Sequence, residues 1–345
     1  MVDRNSAAPD KINEMQSVSK AVDAVGITKE RLESDLRKMG LNRGDHVSIA
    51  SALSKVGRIV GGPEAFIDAV IEVIGPEGTL MVNTYTTFFQ VFQLEAVNNC
   101  PPFDPKLTHC VTGVVSETLR KNPQAMRSRH PTSSVAAIGK KASFLTEGHG
   151  PYAKARLPYS RLAEIEGKSL FIGLGNNLVA LRHEAQFRAG LIDIVHLESC
   201  INYLDEDGKT HLFKGADVTA CTRALPRLVP IMMHRGMVKE GTIGNARSIL
   251  VSTKEALDLM TDLLRKDPTQ NLCDDIACIW CRELERKMSL YKMIKNPLLF
   301  QKNIILIQLL GLINRHRLRG SRQAMRSIFV VKTAYKWMNK YISIK

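Results

Sequence analysis

The chain has 345 residues, 44% of them hydrophobic and 24% charged, with a formal net charge of +14. That length buries a full core, as one large domain or two small ones, and the composition is that of a soluble globular protein rather than a disordered or fibrous one. The charge is uneven: residues 282–345 hold 15 Lys and Arg against 2 Asp and Glu, thirteen of the fourteen net charges, so the body before them is near neutral.

Residues 1–26 are polar, lack the apolar core of a signal peptide and read as a disordered or peripheral segment. Thr28 is placed to cap a helix running to Met39, with Gly40 as its stop and Leu32, Leu36 and Met39 on one apolar face. Alternation over 47–51 predicts a buried strand. Gly61, Gly62, Pro63 and Glu64 then read as a helix start, because proline lacks an N–H that would be unpaired there and Glu64 suits the positive end of the dipole. The helix continues over 66–74, Gly75-Pro76-Glu77-Gly78 makes a turn, and 79–82 is the next strand, a βαβ-like alternation. Between strand and helix, Ser51, Ser54, Lys55 and Gly57 form a small, hydroxyl-rich and partly basic loop. It reads either as an anion site facing helix N–H groups or as an ordinary connection. Neither GxxxxGK[ST] nor GxGxxG is present.

Further on, 98–112 is rich in Pro, Asn and Asp and reads as a long loop, followed by a short helix over 114–121. Strands are predicted at 135–138 and 169–172, the second entering Gly173-Leu174-Gly175-Asn176-Asn177, a turn that delivers the chain to His183 at a cleft edge. Asp205-Glu206-Asp207-Gly208 predicts a hairpin between 200–204 and 210–213, and 252–266 reads as a helix. Seven scattered cysteines with no secretory signal point to thiols in a reducing cytoplasm. Cys273, Cys278 and Cys281 cluster, but no fourth Cys or His stands nearby to complete a tetrahedral zinc site, so buried thiols and no metal are expected.

The tail is different in kind. An apolar run over 297–313 is interrupted by Lys302, Asn303 and Gln308, too polar for a bilayer-spanning helix. Arg315, Arg317 and Arg319 follow, and then aromatics mixed with Lys332, Lys336 and Lys340. This reads as a basic helical extension, lying on an anionic membrane surface or a partner, or packed on the body with a solvated face. The basic and aromatic residues form no known nucleic-acid module.

Several motifs in order resemble the aminoglycoside 3-N-acetyltransferases. Ala50-Ser51-Ala52-Leu53-Ser54 with Gly57 and Gly61-Gly62 is similar to the family's strand-to-helix segment. Gly78-Thr79-Leu80, Thr84-Tyr85-Thr86, and Arg127-Ser128-Arg129-His130-Pro131-Thr132-Ser133-Ser134 continue the likeness, the last matching Arg-Ser-x-His-Pro-x-x-Ser. His183-Glu184-Ala185-Gln186 sits where the family has His-x-Ala-Glu. The likeness spans roughly residues 30–280. Departures are Ala50 for His, Ala52 for Ser, Leu157 for the Ser of a Ser-Pro pair, and Gln186 for Glu.

The resemblance implies a three-layer α/β/α domain with a mixed sheet over 27–281, between the 1–26 segment and the 282–345 tail. The cysteine usage places such an enzyme in the cytoplasm, at the inner membrane face if the tail docks there. The reaction would be direct attack of an aminoglycoside 3-amino group on acetyl-CoA, with no metal. His183 is then the base, since histidine titrates near working pH, and Gln186 or the adjacent Glu184 its orienting partner. Ser51, Ser54, Lys55, Gly57, Thr84, Thr86, Arg127, Ser128, His130 and Ser134 are the expected CoA contacts, Arg127 through its planar fork to phosphate. Alternatives are an acyltransferase for an amino sugar of surface polysaccharide, or a degenerate chain that binds CoA without turnover.

Overall fold

A computed structural model of the protein describes residues 26–90, 93–191, 197–217, 228–278, 281–282 and 285–286. The polar N-terminal segment before residue 26 and the basic tail beyond residue 286 lie outside the described residues. Helix α1 (Lys29–Lys38) starts as its sequence directs, with the Thr28 hydroxyl accepting from the Arg31 N–H at 3.3 Å. Leu32, Leu36 and Met39 are all buried, as their spacing requires. Helix α2 (Gly62–Ile74) begins after Gly61, whose φ of +83° is a conformation that favours glycine.

Strand β1 (His46–Ser51) is central. It pairs in parallel with β2 (Thr79–Asn83) on one side and β6 (Lys168–Ile172) on the other. The sheet then extends antiparallel through β5 (Val135–Gly139) to β4 (Met126–Arg127), and across β6 through β10 (Ala246–Ser252) to β9 (Val238–Ile243). Its full order is β4-β5-β2-β1-β6-β10-β9. Period-two alternation assigns the faces. Val47, Ile49, Leu80, Val82, Leu170 and Ile172 join α1, α2 and helix α4 (Val114–Lys121) in one apolar core. Ser48 and Ser169 point the other way: Ser48 donates to the Tyr159 hydroxyl on α6 (Leu157–Glu164), and Ser169 bonds Thr253 at the start of α9 (Thr253–Lys266). Helices on both faces of a mixed sheet make the expected three layers.

A second, antiparallel sheet contains β3 (Phe89–Gln90), β7 (Leu197–Leu204) and β8 (Thr210–Asp217). Its hairpin closes at the predicted turn, where the Asp205 N–H donates to the Lys209 carbonyl at 3.0 Å. Phe103, Ile201, Tyr203 and Phe213 form its own small core. Helices α3 (Leu94–Asn98), α5 (Ala142–Thr146), α7 (Val179–Arg188) and α8 (Leu228–His234) complete the order. No helix of the described residues is long and apolar enough to cross a membrane.

Two features go beyond the sequence reading. The β9–β10 hairpin turns at Gly244-Asn245, where the Gly244 N–H donates to the buried Asp35 carboxylate at 3.0 Å and the Asn245 N–H to the Val56 carbonyl at 2.9 Å. A Gly-Asn pair between alternating runs is a readable hairpin signal. Residues 179–188, approached only as the end of a turn, form α7.

Candidate active site

The three parallel strands end side by side, the place where open α/β sheets bind ligands. β1 stops at Ser51 and β6 at Ile172, whose carbonyl accepts from the Ala52 N–H at 2.9 Å. The loops beyond are tied together: Lys55 Nζ donates to the Gly173 carbonyl at 2.8 Å. From this end the chain passes Asn176 and Asn177, whose buried Oδ1 atoms have no protein hydrogen-bond partner, and enters α7.

His183 and Gln186, one helical turn apart on α7, are 5% and 0% exposed. His183 Nδ1 lies 2.8 Å from Gln186 Oε1. A carboxamide oxygen only accepts, so in the neutral ring this contact favours the proton on Nδ1. His183 is thus carried by a helix and is largely buried. Glu184 has other partners. One residue on, about 100° around the helix, it accepts from the Ser160 hydroxyl and from Arg188 Nε at 3.0 Å. It lines a separate cleft of ≈ 710 Å³ with Ser160, Arg188 and Asp258, and His183 is not in that lining. The structure pairs His183 with Gln186 and leaves Glu184 on another face.

The expected CoA contacts divide into two groups. Ser51 is half-buried and Ser54 and Lys55 are exposed on the β1–α2 loop. Gly57, at φ +108°, is closely approached by Asn245 and Ile27. This loop is anchored and open to a ligand at Ser54. The second group is buried, Arg127 only partly, and internally bonded. Arg127 donates to the carbonyls of Thr84 (2.8 Å), Thr108 (2.6 Å) and Pro105 (3.1 Å), and its Nε to Thr84 and Ser134 hydroxyls at 3.2 Å. Burial pushes this guanidinium down to about 10, so it remains a cation at neutral pH. The Arg127 fork therefore holds the 84–108 loop. Thr84 bonds Ser134, Thr86 donates to the Pro131 carbonyl at 2.5 Å, and His130 Nδ1 accepts from the Ser133 N–H at 3.1 Å.

Sequence reasoning missed the buried polar residues behind this wall. Tyr159 donates to Asn83 Oδ1 at 2.9 Å and accepts from Ser48, joining β1, β2 and α6. Arg156 stacks over the Tyr85 ring at 4.5 Å. His149 stacks on His130 at 4.9 Å with Nδ1 2.9 Å from Ser128 Oγ, beside a cleft of ≈ 680 Å³ that Arg127, Tyr152 and Asp205 also line. Only the motif's own alternation of Ser, His and Thr hinted at a buried network.

Burial first, then the neighbouring His130, holds the His149 imidazole well below the ordinary histidine value of 6.5. The unfolded chain therefore takes up a proton there before the folded one does. His149's contribution to stability is intact above 6.5 and is lost as pH falls toward the depressed folded value, by about 1.4 kcal/mol per unit. Urea unfolding between pH 7 and 5 is expected to show this slope, flattened in His149→Gln.

The family model described as aminoglycoside 3-N-acetyltransferase matches residues 49–265. Aminoglycoside N(3)-acetyltransferase VII of Streptomyces paromomycinus is 32% identical over 263 residues, covering 67% of this chain and 89% of that protein. Among solved structures, AAC-IIIb in a binary complex with CoASH is 27% identical, with a TM-score of 0.60 over 69% of this chain and 96% of that one. AAC-VIa bound to sisomicin is 25% identical, with a TM-score of 0.59 over 70% and 98%.

Proposed function

Because this chain belongs to the aminoglycoside 3-N-acetyltransferase family, we propose that it moves the acetyl group of acetyl-CoA onto the 3-amino group of an aminoglycoside. The relative solved with CoASH and the one solved with sisomicin support the two substrates. In a ternary complex the amine nitrogen attacks the thioester carbonyl. The C–N bond forms, the C–S bond breaks, and no acyl-enzyme intervenes. His183 Nε2 takes the proton from the amine and returns it to the departing CoA thiolate. The observation that supports this reading is the buried His183–Gln186 pair, whose 2.8 Å contact favours the Nδ1–H tautomer of the neutral ring.

In this proposal Ser51, Ser54, Lys55 and Gly57 contact CoA from the β1–α2 loop. Thr84, Thr86, Arg127, Ser128, His130 and Ser134 shape the neighbouring wall through the network described above. The Asn176 and Asn177 carbonyl oxygens suit the ammonium groups of a polyamino sugar, since buried acceptors without partners favour a donor-rich ligand.

The test is acetyl-CoA-dependent thiol release on a panel of aminoglycosides, sisomicin included, and amino-sugar nucleotides. Release with an aminoglycoside is the expected result. Tight CoA binding without turnover on any aminoglycoside overturns the reading, and release only with an amino-sugar nucleotide moves the acceptor to the polysaccharide alternative. Gln186 orients the imidazole but adds no charge to stabilise the imidazolium. Gln186→Glu is therefore expected to raise turnover and to move the acidic limb of the kcat/KM profile up by about one pH unit.

A further inference from the structure

After α9 and the short 3₁₀ turn Pro268–Asn271, the chain carries three buried cysteines, Cys273, Cys278 and Cys281. Their Sγ atoms all lie within 4.8 Å of one another. The local backbone builds this convergence. Asp275 Oδ1 accepts from the Ala277 N–H at 2.9 Å, and the Cys278 N–H donates to the Asp275 carbonyl at 3.1 Å, turning the chain between the first and second thiols. The Arg282 N–H then donates to the Cys278 carbonyl at 3.0 Å, which brings Cys281 round, and the Arg282 guanidinium donates to the Cys273 carbonyl at 3.2 Å. The Cys273 N–H itself donates to Cys281 Sγ at 3.2 Å.

Burial alone is ordinary for cysteine, which packs as a small hydrophobe. A backbone N–H donating to one sulfur of three that converge is a different arrangement, because such donors stabilise the thiolate over the thiol. A tetrahedral zinc ion with Zn–S bonds of about 2.3 Å places its thiolates about 3.8 Å apart, within reach of the separation seen here. The other described cysteines stand elsewhere: Cys110 beside Glu117, Cys200 on β7, and Cys100 after α3.

We propose that Cys273, Cys278 and Cys281 bind a thiophilic divalent cation, zinc by ligand type, as a structural staple for the segment that follows α9. Binding replaces three S–H bonds by three sulfur–metal bonds and releases three protons, leaving the fourth tetrahedral position to a further donor. The sequence count of ligands, which found no fourth Cys or His nearby, led to the expectation of no metal. The folded geometry of the three that are present argues the other way. The site is distinct from the catalytic reading and does not rest on it.

The full chain, purified under reducing conditions, is expected to carry about one zinc per molecule by elemental analysis, falling below about a tenth in Cys278→Ser/Cys281→Ser. Should that variant fail to fold, the wild-type chain decides alone. Adding Co²⁺ to the metal-stripped, reduced protein is expected to give an intense thiolate-to-cobalt charge-transfer band in the near ultraviolet. Background zinc together with no cobalt band overturns the proposal. Zinc retained at full content in the double variant also overturns it.

Discussion

His183→Ala is expected to lower kcat for acetyl transfer by ~10²–10⁴ while acetyl-CoA still binds. The amine of an aminoglycoside is mostly protonated at neutral pH, and a base that removes the proton as the nitrogen attacks contributes on that scale. The side chain is 5% exposed and bonded to Gln186, and removing the ring leaves a small cavity. A thermal unfolding scan must therefore accompany the kinetics. Equal loss in kcat and kcat/KM with a preserved transition identifies an interaction made only in the transition state. Undiminished thiol release in the variant would remove His183 from the mechanism and send the search for a base to another residue of the same wall.

Arg127→Ala is expected to lower folding stability by about 3 kcal/mol, because it strips the donor from three loop carbonyls and two hydroxyls at once. Urea titration should show a lower midpoint with the slope retained, and KM for acetyl-CoA in the folded enzyme unchanged. Arg127→Lys should rescue little, since an ammonium keeps the charge and loses the planar fork that reaches Thr84 and Thr108 together. The opposite pattern, an unmoved midpoint with a steep rise in KM for acetyl-CoA, would return Arg127 to the phosphate contact its motif suggests.

These two residues also mark how far the chain could be read. His183 is legible through a motif, and Ala180, Leu181, Arg182, Glu184, Ala185 and Gln186 around it are good helix formers, although a Gly/Asn turn stands just before them. For its partner the sequence offers both Glu184 and Gln186. A rotation of about 100° per residue decides between them once α7 is seated against its neighbours. Arg127 shows the reverse case. Its type suits phosphate, but the carbonyls it binds lie up to 43 positions away, and no local pattern announces them.

The central β1–α2–β2 unit, the Thr28 cap, the Asp205 hairpin turn, the helix after Ser252 and the family to which the chain belongs are all legible in the residues alone. These depend on periodicity, caps and turn residues that act within a few positions of one another. Tertiary structure alone decided the seating of β10 against β6, the separation of Glu184 from His183, the internal bonding of Arg127, and the convergence of Cys273, Cys278 and Cys281. Each of these is a matter of direction, set by which face of an element is buried against a distant or looped-back part of the chain.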